Sequence, residues 1–125
     1  MYIPEKNLIM KVEDEFKKRI PFLTGWKITR KKSLKDKKVD LLISAKSNNQ
    51  TYHFCVEVKT AGYPQYIRDG VVILKRFAKM DSSRYPVIVV PFISGQSKEI
   101  CDEYHVGYMD FSVVNRSSGP SGYSA

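Results

Sequence analysis

No stretch of the 125-residue chain holds an apolar run near the ~20 residues that a membrane-spanning helix needs. The opening residues, Met1-Tyr2-Ile3-Pro4-Glu5-Lys6, lack the charged-then-apolar layout of a secretory signal. Cysteine is scarce. Cys55 and Cys101 sit in apolar or helical contexts with no CxxC spacing, so reduced thiols in a cytoplasmic protein are the expectation. Acids are outnumbered too: 13 Asp and Glu against 21 Lys and Arg leave a formal charge of +8 and a pI of about 9.5. That excess points to an anionic partner. The length suits one domain, and hydrophobic residues at 42% suffice for a core.

What is present is organised around Thr51-Tyr52-His53-Phe54-Cys55-Val56-Glu57-Val58-Lys59-Thr60. Strand side chains alternate between two faces. Tyr52, Phe54, Val56 and Val58 therefore share one face, rich in β-branched and aromatic residues as a core-facing strand is. His53, Cys55, Glu57 and Lys59 share the other, which ends in a carboxylate and an ammonium. Upstream, Val39-Asp40-Leu41-Leu42-Ile43-Ser44 carries one acid inside an apolar run. Such an acid must be partnered or bind something, because burying an unpaired charge is costly.

If these two strands are antiparallel neighbours, Asp40, Glu57 and Lys59 converge at one edge of a sheet. Two carboxylates there form the hard-oxygen site that Mg²⁺ prefers, with Mn²⁺ as its expected substitute. A lysine beside such an ion can orient or deprotonate a water for attack on phosphorus. The constellation points to metal-dependent hydrolysis of a phosphodiester, with DNA as the expected substrate.

The remaining elements follow from periodicity. Residues 5–20 form an amphipathic helix with Ile9, Val12, Phe16 and Ile20 on one stripe, stopped by Pro21. Strands are expected over 25–32 and 39–46, joined to the third by the turn Ser47-Asn48-Asn49-Gln50. A helix over 67–80 places Ile67, Val71, Leu74 and Ala78 inward, and the continuous apolar run Pro86–Ile93 reads as a strand buried on both faces. Ser94 is placed to cap a third helix ending near His105, and Gly107–Phe111 closes the pattern as a short strand. The order αβββαβαβ implies an α/β fold, a mixed central sheet flanked by helices. Residues 1–114 form the domain, and 115–125 have the Ser/Gly-rich composition of a flexible tail.

Lys27, Arg30, Lys31, Lys32, Lys35, Lys37 and Lys38 place seven cations within twelve positions. They read either as a solvated hairpin tip or as a phosphate-contacting edge. Trp26 and the tyrosines are candidates for base stacking or for the core rim. Gln65 and Tyr66 could touch substrate or simply open the second helix. Asp110 could cap a turn or approach the site.

The element order, with Asp40 on the second strand and Glu57-Val58-Lys59 on the third, resembles the PD-(D/E)xK nuclease superfamily and its restriction-endonuclease-like core. The resemblance covers residues 5–112. It implies that Asp40 and Glu57 ligate the divalent metal and that Lys59 assists the attacking water. It also implies a further glutamate from the first helix: Glu13, about 40° from the apolar stripe at ~100° per residue, or else Glu15. Val39 stands where members often carry proline. Arg30, Lys31, Lys32, Lys35 and Arg68 would contact the DNA backbone, and a homodimer would cut both strands. The alternative is a nuclease-like fold that binds DNA, in a regulatory or targeting role, without cutting it.

Overall fold

A computed structural model describes the backbone of residues 5–34 and 37–111 and the side chains of residues 7–30 and 39–111. The chain runs α1 (Glu5–Arg19), β1 (Thr24–Leu34), β2 (Lys37–Ser47), β3 (Gln50–Val58), α2 (Pro64–Met80), β4 (Arg84–Val90), α3 (Gly95–Glu103) and β5 (Gly107–Asp110). The expected element order is therefore present. The tail assigned to 115–125 lies outside the described residues.

The five strands form one sheet in the order β1-β2-β3-β4-β5. β1, β2 and β3 are antiparallel neighbours, and β3, β4 and β5 are parallel. Asn48 and Asn49 both take positive φ, 51° and 64°. That is the two-residue hairpin turn whose twist matches the strands, and asparagine tolerates it well. Parallel pairing requires crossovers, which α2 and α3 supply. Right-handed crossovers stepping in one direction put both helices on the same face.

This topology buries the middle of the sheet on both sides. On one face Leu8, Val12 and Phe16 of α1 pack on Ile43, Val56 and Val89. On the other, Ile67, Leu74 and Phe77 of α2 pack on Cys55, Ile88 and Val90. Phe16 meets Phe54 edge-on at 5.5 Å between ring centroids, and Trp26 at 6.3 Å. Such contacts contribute about 0.5–1.5 kcal/mol each beyond area burial. Trp26 is thus a rim residue of the α1 core.

Several boundaries shift by one to three residues from the sequence reading, most at α2 and β4. α2 starts at Pro64, not Ile67, because proline at the first helical position has its φ preset and lacks only an amide that would be orphaned anyway. Its buried stripe ends on Phe77, with Ala78 only half-buried. β4 starts at Arg84 and stops at Val90, short of Pro91. β5 pairs with β4 only from Val87 on, so Pro86 has a strand neighbour on one side alone and is tolerated there.

Candidate active site

The β2–β3 register runs to Leu41 opposite Val56, and one further step sets Asp40 opposite Glu57. Asp40 is half-buried, and its Oδ2 accepts the Val58 N–H at 2.8 Å. The carboxylate thereby replaces a ladder acceptor and is held against β3. The Lys59 N–H donates to Val89 O on the other side, at 3.0 Å. The end of β3 is therefore tied to both neighbours where the site residues emerge, and a strand held this way presents its side chains with little freedom.

Glu57 is only 7% exposed, because α2 covers its face of the sheet. A carboxylate removed from water needs a countercharge, and Lys59 Nζ lies 3.6 Å from Glu57 Oε2. The lysine stem runs against α2 at Gly70. A Cβ there would stand 3.4 Å from Lys59 Cε and 2.4 Å from Ile88 Cδ1. The helix can approach the sheet this closely because that position carries no side chain. Sequence reading passed over Gly70; a lone glycine inside a helical pattern is the signal that marks a close approach.

The structure brings Asp40, Glu57 and Lys59 to one place, and the two carboxylates could hold a metal there. It does not bring Glu13 to them. Arg30 follows Trp26 and Ile28 on the face packed by α1, and its Nη2 lies 2.9 Å from Glu13 Oε2. Glu15 is engaged by Arg19 at 3.1 Å and Lys18 at 3.7 Å. Among the described residues, no cluster of three or more His, Cys, Asp and Glu side chains could hold a metal ion.

Arg68 is exposed but lies about 160° around the helix from Gly70 at ~100° per residue, away from the lysine. Lys31 and Lys32 fall on β1 with side chains outside the described residues, as does Lys35 altogether. His53 Nδ1 is 2.9 Å from Ser44 Oγ on its cross-strand partner, four residues from Glu57. Asp110 anchors a loop: its buried Oδ2 accepts the Ile93 N–H at 3.1 Å, while Arg19 donates to its carbonyl. Cys55 and Cys101 are buried and free. Burial pushes both thiols up to about 12, so they stay protonated and poorly nucleophilic near neutrality.

The next residues outward are Ala61 and Gly62. A Cβ at Gly62 would meet Phe92 O at 2.0 Å, and Ser97 Oγ donates to Gly62 O at 2.8 Å. Loop 59–63 is thus clamped to the loop after β4. Ser94 caps α3, as its sequence position implies, by accepting the Ser97 N–H at 3.2 Å.

This mixed five-stranded sheet with three helices is an α/β fold of the kind found in endonucleases. Two solved structures share it. A repair endonuclease from Pyrococcus abyssi superposes with a TM-score of 0.64 at 12% identity, over 90% of this chain and 49% of that one. EndoMS in its apo form gives 0.54 at 8%, over 90% and 48%. The chain spans about half the length of each. No protein family model matches it, and no curated protein matches by sequence.

Proposed function

We propose that this domain is a metal-dependent DNA endonuclease of the PD-(D/E)xK type, hydrolysing phosphodiester bonds. The observation that carries this reading is the meeting of Asp40, Glu57 and Lys59 at the end of β3, on a fold shared with two endonucleases. The donor set fits a hard divalent cation. Two carboxylates from adjacent strands offer oxygen ligands, and water and substrate phosphate complete the shell, as Mg²⁺ favours.

Asp40 and Glu57 would hold Mg²⁺, or Mn²⁺ in its place. The bound ion supplies Lewis-acid polarisation of the phosphoryl oxygen and a more acidic water. The protein's own groups do the rest. The Val58 N–H fixes the Asp40 carboxylate in place. Lys59, held between Glu57 and Gly70, orients the attacking water and sets a positive charge where negative charge gathers on the phosphate. Arg30, Lys31, Lys32, Lys35 and Arg68 would grip the backbone, each contact steepening the salt dependence by about 0.9 log unit per log unit of salt. Two copies acting as a homodimer would cut both strands. The setting would be cytoplasmic.

Nicking of supercoiled plasmid tests the reading. Nicks are expected with millimolar Mg²⁺ or Mn²⁺ and none after chelation by EDTA. Salt-sensitive DNA binding without cleavage in either metal would instead identify a DNA-binding module that does not cut.

A further inference from the structure

We propose that Tyr63 and Tyr66 form a stacking platform for unpaired bases, which makes DNA with a single-stranded segment the preferred substrate. This rests on the nuclease reading and adds the class of DNA it takes. At ~100° per residue, Tyr66 falls about 40° from the line of Gly70, and Tyr63, the extended N-cap residue just before the helix, sets its ring against that of Tyr66. Tyr66 and Gly70 thus share one strip along α2, with Tyr63 at its head. Gly70 is the point on that strip which touches the Lys59 stem. The two tyrosines therefore continue the strip outward from the lysine, on the turn that overhangs the ends of β3 and β4.

The rings are open to solvent there. Tyr63 is 65% exposed and Tyr66 43%. Their centroids lie 5.9 Å apart with planes tilted by 56°, so neither ring covers the other face to face. Phe92, 45% exposed, follows on the loop whose carbonyl abuts Gly62. Core packing does not account for three exposed aromatic residues just past the C-terminal ends of β3 and β4, the end of β3 from which Lys59 emerges. Bases freed from a duplex present π-faces that such rings accept without regard to sequence. The first turn of α2 carries no acidic residue, so nothing on it repels a phosphate chain threading toward Lys59. A paired duplex keeps its bases stacked inside and offers the rings none of this.

Binding without divalent metal tests the platform apart from catalysis. The probes are a fluorescein-labelled oligothymidine of about 12 nucleotides, an abasic strand of equal length, and a duplex of equal length, each followed by anisotropy in EDTA. The native protein should bind oligothymidine more tightly than the abasic strand. Tyr63→Ala with Tyr66→Ala should weaken oligothymidine binding by about tenfold or more and leave abasic and duplex binding unchanged. Tyr63→Phe with Tyr66→Phe should bind as the native protein does, because it keeps the rings. The platform is overturned if the alanine pair binds oligothymidine like the native protein. It is equally overturned if the alanine pair loses as much on the abasic strand, or if the phenylalanine pair loses as much as the alanine pair. Failure of the nuclease reading would show separately, as absent metal-dependent nicking, and would not alter these ratios.

Discussion

Lys59→Ala should lower plasmid nicking by about 10²–10⁴-fold, the range for loss of a group that manages protons or charge at the reacting centre. Its Nζ stands 3.6 Å from Glu57 Oε2, so removing it also strips a buried carboxylate of a countercharge. Glu57→Gln tests the same pair from the other side. Asp40 needs a different substitution. Alanine would leave the Val58 N–H without its 2.8 Å acceptor, at a cost of about 1–3 kcal/mol, and would mix stability with activity. Asparagine keeps an acceptor in the same place and removes only the charge. Asp40→Asn should therefore melt like the native protein, bind DNA at least as tightly with one repulsive charge fewer, and lose nicking in the same range as Lys59→Ala. Equal cleavage by the native protein and all three variants would take these residues out of the mechanism.

Gly62→Ala should destabilise the fold by about 3 kcal/mol, the upper part of the range for overpacking, and lower Tm by about 12 °C. The added Cβ would lie 2.0 Å from Phe92 O and 3.0 Å from Phe92 C. Both are backbone atoms, so no side-chain rotation relieves the clash. The loop after β4 has little room to retreat, because Asp110 holds the Ile93 N–H at 3.1 Å and Pro91 O accepts the Phe111 N–H at 3.2 Å. Gly95 serves as the control. A Cβ there meets nothing within 4 Å, so Gly95→Ala should be neutral or stabilising by up to ~1 kcal/mol. Thermal melting of both variants checks this. A Gly62→Ala protein that melts with the native one would mean that loop 59–63 is not seated against Phe92.

Local pattern made much of this architecture legible. Alternation along 51–60 and the acid inside Val39–Ser44 marked Asp40, Glu57 and Lys59, because strand geometry fixes which side chains share a face. The double asparagine marked the hairpin, since few residues other than glycine accept positive φ twice in succession. Features that depend on distant partners were not legible. Glu13 has a suitable angle on α1, yet Arg30, 17 positions along the chain, engages it on the face opposite α2. Asp110 could be read equally well as a cap or a site residue until Ile93 was seen to lie against it. Gly62 and Gly70 owe their roles to what approaches them, and that information lies in Phe92, Ile88 and Lys59.

The central claim is that two carboxylates from neighbouring strands jointly hold one divalent ion. A crystal of the protein soaked in Mn²⁺ and measured at the manganese edge tests it most directly. The expected result is one anomalous peak within coordination distance of both the Asp40 and Glu57 carboxylates, lost in Asp40→Asn crystals. An empty position between these side chains, with Asp40 and Glu57 turned away from each other, would contradict it.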